Sequence, residues 1–158
     1  ISRFESIQNN FSLNNPRFLD ELAEVCKKEQ ISLLPYSPIA GGVLSGKYNG
    51  KFYPKNARFS EYLSSQHDRV KAMGTRFVND KSILSTKKYI EIANELEISP
   101  ITLAVAYSKQ FEFVASTIIG ARNVAQLDDS FAALDVNLDT KTMERIKKIQ
   151  MEIMYPMG

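Results

Sequence analysis

Near the N-terminus, residues 3 to 8 alternate loosely between apolar and polar and end at Gln8, which predicts a short strand. Asn9 to Pro16 is polar and turn-rich, and after it the period changes. Leu19, Leu22, Ala23 and Cys26 recur at spacings of three, one and three, while Glu21, Glu24, Lys27 and Lys28 take the opposite side. That is the pattern of a helix packed on a sheet, with Pro16 near its start. The apolar run Ile31 to Tyr36 reads as a second, buried strand. One strand–helix–strand unit is therefore legible, and its crossover is expected to be parallel and right-handed.

From Val43 to Ser82 the pattern is less regular. Lys51 to Arg58 is polar and aromatic, more loop than element. A short helix is expected within Glu61 to Phe77, weakened by Gly74. A loop of this length without a core of its own is expected to be the most mobile part of the chain. Helical periodicity returns at Ser85 to Leu96, with Tyr89, Ile92, Ala93 and Leu96 on one face. Ser99-Pro100 is a start signal, a capping hydroxyl followed by proline at the first helical position, and opens a helix to about Gln110. Val114 to Ile119 is rich in β-branched residues and ends at Gly120, which predicts a third buried strand. Asn123 is placed to cap a helix through Leu127, Phe131 and Leu134, and Asp139 one through Met143, Ile146 and Ile149. There are no internal repeats, low-complexity segments or internal linkers.

The chain's 158 residues, 44% of them hydrophobic, suffice for the core of one ordinary domain. A complete (β/α)₈ barrel takes about 250 residues, so a whole barrel does not fit. The net charge of +2 argues neither for nucleic acid nor for an anionic membrane. No run of about 18 apolar residues predicts a transmembrane helix, and Ile1 to Glu5 lacks the regions of a signal peptide. The single cysteine, Cys26, has no internal disulfide partner, which fits a reducing cytoplasm.

The candidate chemistry concentrates where the second strand ends, in Pro35-Tyr36-Ser37-Pro38-Ile39-Ala40-Gly41-Gly42-Val43-Leu44-Ser45-Gly46-Lys47-Tyr48. Parallel α/β proteins place ligand sites at strand C-termini, where backbone amides are exposed beside loops free to vary. The glycines let backbone approach a ligand closely, and Lys47 supplies a positive charge. Two readings follow from the residues alone: a phosphate or cofactor loop, or a Gly-rich turn after a core strand.

This tract closely resembles the seventh-strand segment of aldo-keto reductases, in which an aromatic residue before Ser-Pro-Leu stacks on nicotinamide. Gly46-Lys47-Tyr48 and the long loop after it resemble the Tas-like and potassium-channel-β-like branch. Ser6-Ile7-Gln8-Asn9-Asn10-Phe11-Ser12-Leu13 is similar to the family's sixth-strand segment, and Val114 to Leu127 to its eighth strand and the following loop. The resemblance implies an α/β chain forming the C-terminal part of a (β/α)₈ TIM barrel, with about three parallel strands equivalent to strands six to eight. Residues 1–158 are then a single incomplete domain, with 43–82 as a long loop region covering the cofactor.

The resemblance also implies NADP(H) as cofactor and assigns its contacts. Gln8 faces the carboxamide, and Tyr36 stacks on the ring. Ser37, Pro38, Ile39 and Gly41 approach the pyrophosphate. Lys47 and Arg58 neutralise phosphates, while Gly120 and Arg122 hold the 2′-phosphate. Gln126, Asp129 and Ser130 lie along the adenosine. The branch usually has Glu and Asn where this chain has Asp129 and Ser130, and Ser130 offers no amide for adenine. A guanidinium at Arg122, beside helix N-terminal amides, suits a phosphate on elementary grounds as well.

The family's catalytic Asp, Tyr, Lys and His lie upstream of the segment matched by Gln8. No catalytic residue is therefore expected in this chain, which starts at Ile1 without an initiator Met, and the chain alone is expected to be inactive. The implied activity of the parent is NADPH-dependent reduction of aldehydes and ketones, with a small-molecule carbonyl substrate. The alternative is a nucleotide-sensing regulatory subunit of the potassium-channel-β type. Open barrel edges are expected to drive self-association. His67 reads as a solvent-exposed histidine, Cys26 as a small core residue, and no metal site is expected. Asp128-Asp129 are adjacent on a helix and point apart, so they form no acid–base pair.

Overall fold

The alternating N-terminal segment and the run ending at Tyr36 form two strands, β1 (Ser6–Asn10) and β2 (Ser32–Tyr36). In the computed structural model, which describes residues 3–157, they pair in parallel, with Gln8 opposite Leu34 and Asn10 opposite Tyr36. The crossover carries a 3₁₀ turn at Arg17–Leu19 and helix α1 (Leu22–Glu29). Phe11, Leu13, Phe18 and Cys26 are the buried apolar members of this connection, whereas Leu19 is partly exposed. Gln30, in the left-handed conformation, ends α1 and turns the chain into β2.

The third predicted strand does not form as such. Segment 113–118 runs beside β2 and makes only an isolated parallel bridge, Leu33 to Val114. Leu33 N–H donates to Phe113 O (2.7 Å), and Ala115 N–H donates to Leu33 O (3.0 Å). The next rung would need an N–H from Pro35, which has none, and the ladder slips so that Ile118 rather than Thr117 donates to Pro35 O (2.8 Å). The sheet is thus two-stranded with a third, hydrogen-bonded but irregular flank.

One face of the sheet is packed and the other is open. Leu33 and Pro35 are buried, while Ser6, Gln8 and Tyr36 stand exposed on the opposite face, with Asn10, Ser32 and Leu34 half-buried among them. That open face is mostly polar, more so than the expected apolar lining of a cut barrel.

Six further α-helices, the first of them short, follow among the described residues. They are α2 (Arg58–Leu63), α3 (Asp68–Phe77), α4 (Asp80–Glu95), α5 (Pro100–Lys109), α6 (Ala125–Ala132) and α7 (Thr140–Glu152). Three starts are capped by side chains. Asn79 and Ser82 form a reciprocal capping box on α4, and Ser99 and Asp139 accept from Thr102 and Thr142 N–H on α5 and α7. Of the residues expected on inward faces, Tyr89, Ile92, Ala93, Ile146 and Ile149 are buried, Met143 is half-buried and Leu96, at the end of its helix, is exposed. On α6 the outcome differs: Leu127 is only half-buried, and Phe131 and the following Leu134 are exposed.

The turn after β1 is tied to these helices rather than left on the surface. Leu13 O accepts from the Tyr89 hydroxyl (3.1 Å) and Gln150 Nε2 (3.2 Å), and Asn14 Oδ1 accepts from Ser85 Oγ (2.7 Å). Burial pushes the Tyr89 and Tyr107 hydroxyls well above the usual tyrosine range, so both stay protonated.

Segment 43–82, expected as a loop without a core, has one. Tyr48, Tyr53, Phe59, Tyr62 and Phe77 pack together, with Phe59 stacked on Phe77 at 4.7 Å between centroids. Gly74 is the close-approach point of α2 and α3: a β-carbon there would lie 3.1 Å from Leu63 Cγ and Tyr62 Cβ. The residue that weakens the helix in sequence terms is the one that lets the two helices meet.

Candidate cofactor site

The chain leaves β2 through a run of left-handed residues. Ser37 (φ 59°) and Ala40 (φ 50°) precede Gly41 (φ 63°) and Gly42 (φ 98°), and Gly46 (φ 80°) closes the turn. The two non-glycine members hold conformations that L-residues rarely adopt, at the end of a strand where ligand loops are found. A second loop is fastened against the first. The buried Tyr48 hydroxyl accepts from Phe59 N–H (3.1 Å), and a β-carbon on Gly41 would fall 2.7 Å from the Phe59 ring. This contact fixes the start of α2 beside the glycine pair and brings Arg58 with it.

The third wall comes from the flank after segment 113–118. Arg122 Nη1 donates to Asn56 O (2.7 Å), joining this loop to the residues before α2. Arg122 N–H donates to Gln126 Oε1 (2.9 Å), and Gln126 N–H to Asn123 Oδ1 (3.2 Å), so Asn123 closes a turn ahead of α6, whose first residue is preceded by Val124 rather than by Asn123.

These three walls border an open cavity of about 720 Å³. Ser37, Pro38, Ile39, Gly41, Lys47, Arg58, Gly120, Arg122, Gln126 and Ser130 all line it. The structure thus brings together ten residues that lie up to 93 positions apart in sequence (130 − 37 = 93). Gln8 and Tyr36 stand outside the cavity, on the open face of the sheet, in registers that put them on the same side. Tyr36 is 41% exposed and directly precedes the cavity residue Ser37. Asp129 does not line the cavity; its backbone carbonyl accepts from Thr102 Oγ1 (2.8 Å), a structural contact between α5 and α6.

Several lining residues carry no sequence signal of their own. Asn56 enters as the carbonyl that orients Arg122, and Pro54, Ala57 and Tyr62 as surface. Gly42 belongs to the glycine pair, but its role needs the fold. The Lys47 side chain lies back over it, so that a β-carbon on Gly42 would meet Nζ at 2.7 Å.

Electrostatically the cavity is lopsided. Lys47, Arg58 and Arg122 face it, and Glu61 is the single carboxylate among the lining residues. Among the described residues none of the three cations has a carboxylate within ion-pair distance. Burial and then the charges of Arg122 and Arg58 hold the Lys47 ammonium below the usual lysine range. Three like charges in one concavity repel one another, and a polyanion relieves that repulsion. The arrangement therefore fits phosphate groups, with the backbone of Gly41, Gly42 and Gly120 close by.

Elsewhere the described residues offer little competing chemistry. No group of three or more His, Cys, Asp or Glu is placed to hold a metal ion, and His67 is exposed ahead of α3. No helix is long and apolar enough to cross a membrane.

Comparison with known proteins identifies the family. The aldo/keto reductase family model matches residues 2–151. Protein tas of Escherichia coli is 31% identical over 159 aligned positions, covering 99% of this chain and 42% of that protein. A protein of Arabidopsis thaliana named "Probable voltage-gated potassium channel subunit beta" is 32% identical over 67% of this chain and 30% of its own length. A glycerol dehydrogenase from Gluconobacter oxydans superposes with a TM-score of 0.67 over 95% of this chain and 43% of that one, at 15% identity, which speaks to fold alone. The chain thus spans less than half the length of these relatives, and it belongs to the aldo/keto reductase family.

Proposed function

We propose that this chain binds NADP(H) across the sheet end and the cavity, and that the whole protein is an oxidoreductase reducing aldehydes or ketones to alcohols. The observation that carries the reading is the trio Lys47, Arg58 and Arg122, without carboxylate partners among the described residues, around the glycine backbone that follows β2. Lys47 and Arg58 neutralise the pyrophosphate, and Ser37, Ile39 and Gly41 offer hydroxyl and backbone contacts to it. Arg122, held by Asn56 O and beside Gly120, takes the 2′-phosphate that distinguishes NADP from NAD, while Gln126 and Ser130 border the adenosine. Tyr36 supports the nicotinamide face, and Gln8, on the same side of the sheet, meets its carboxamide. The bound cofactor supplies hydride.

We assign no catalytic residue within this chain. The expected result is saturable NADPH binding without turnover of a small aldehyde. Arg122→Gln is expected to lose affinity for NADP+ and keep that for NAD+. Steady turnover by the chain, or equal loss for both nucleotides, would refute these assignments.

A second reading is favoured by the match to the potassium channel subunit beta: a nucleotide-sensing regulatory protein on the same scaffold. Both readings require the nucleotide grip, and turnover by the whole protein separates them.

A further inference from the structure

The cofactor reading uses Lys47 as a charge, but its position also makes it a nucleophile. Its side chain folds back over Gly42, and Nζ lies 5.3 Å from the Tyr48 ring centroid, at the wall of the cavity. Two other lysines are held by carboxylates, Lys88 by Glu152 at 2.7 Å and Lys28 by Glu24 at 3.6 Å, and what sets Lys47 apart is the company of two guanidiniums in one cavity. Lys47 has no carboxylate partner among the described residues, and two guanidiniums, Arg58 and Arg122, share its cavity. Partial burial and those two charges hold its ammonium below the usual lysine range, so it gives up a proton more readily than a lysine in open solvent. The same two charges attract an anion.

We propose that Lys47 is a site of reversible imine formation with small phosphate-bearing aldehydes, which Arg58 and Arg122 hold by the phosphate while the amine meets the carbonyl. The Nζ lone pair attacks the carbonyl carbon, and the C=O pair moves to oxygen, which takes a proton. The resulting carbinolamine loses that oxygen as water as the C=N bond forms, so amine and aldehyde give imine and water with no oxidant or reductant. The inference rests on the cation cluster and holds whether or not NADP(H) binds there. NADP(H), where it binds, competes with the aldehyde for Arg58 and Arg122.

The test is treatment of the 158-residue chain with pyridoxal 5′-phosphate, reduction with borohydride, and peptide mapping by mass spectrometry. The adduct is expected on Lys47 at roughly tenfold higher occupancy than on Lys51 or Lys55 of the same segment. Arg122→Gln is expected to cut labelling by pyridoxal 5′-phosphate more than labelling by pyridoxal, which lacks the phosphate. Lys47→Arg keeps the charge and abolishes the adduct. Even labelling across the exposed lysines, or equal labelling by the two aldehydes, would overturn the proposal. A parallel NADP+ titration keeps the readings apart: Lys47 labelling without NADP+ binding removes the cofactor reading alone, and NADP+ binding without Lys47 labelling removes this one.

Discussion

Gly42→Ala tests how the glycine pair and Lys47 work together. Gly42 sits at φ 98°, and a β-carbon there would meet Lys47 Nζ at 2.7 Å and Cε at 2.8 Å. The backbone cost of a left-handed L-residue is about 1–2 kcal/mol. For a chain of this size that lowers the melting temperature by about 2–8 °C. The steric part is different, because the clashing atoms are the end of a flexible side chain. Lys47 gives way, and its ammonium leaves the place where a phosphate would meet it. A hydrogen bond to a charged group is worth about 1.5–3 kcal/mol, or roughly 10- to 150-fold in affinity. Calorimetric titration with NADP+ on wild type, Gly42→Ala, Lys47→Met and the double variant reads this directly. Lys47→Met is expected to lose affinity with little change in stability, and Gly42→Ala to lose both. In the double variant the stability losses add, whereas the affinity losses do not, since both act through one amine. Fully additive affinity losses would refute the proposed dependence of Lys47 on Gly42.

Two further perturbations probe what holds the site. Phe59→Ala removes a ring stacked on Phe77 and lying against Gly41 and Tyr48, and is expected to cost about 3–5 kcal/mol in denaturant unfolding; a loss under about 1 kcal/mol would mean segment 43–82 is not packed as described. Asp139 has its carboxyl held below the usual aspartate range by hydrogen bonds from the Thr142 hydroxyl and N–H, so the folded state binds fewer protons than the unfolded one. Its contribution is present at neutral pH and lost as pH falls from about 4 downward. Asp139→Asn keeps a capping oxygen and removes the titration, so its stability should fall less steeply with acid than wild type; parallel acid limbs would contradict this.

Much of the scaffold is legible in local signals. Ser99-Pro100 and Asp139 carry their capping chemistry in their residue types, and the helices they open begin where those residues stand. The apolar run that ends at Tyr36 yields β2, although only one face of that strand is packed. The third strand is misread because composition sees the β-branched run at 114–119 and not the partner it needs. The missing donor belongs to Pro35, on a different strand. Gly74 is misread for a related reason: its helix penalty is local, but the close approach of α2 and α3 that offsets it is tertiary. The core of segment 43–82 arises from aromatic residues spread over 30 positions (77 − 48 + 1 = 30), a spacing without regular period. At the site, Arg122 and Lys47 stand out as cations near turns, but their convergence on one cavity depends on Tyr48 and Asn56, which act through a hydroxyl and a backbone carbonyl. Backbone carbonyls leave no mark in residue type.

The central claim is that the cavity between the β2 exit loop, α2 and the α6 approach grips the phosphates of NADP(H). The most direct measurement is an amide NMR titration of the chain with NADP+ and, separately, NAD+. The account predicts saturable shifts at Gly41, Gly42, Gly120, Arg122 and Gln126, tighter for NADP+ than for NAD+. Shifts that fail to saturate, or that gather away from these residues, would contradict it.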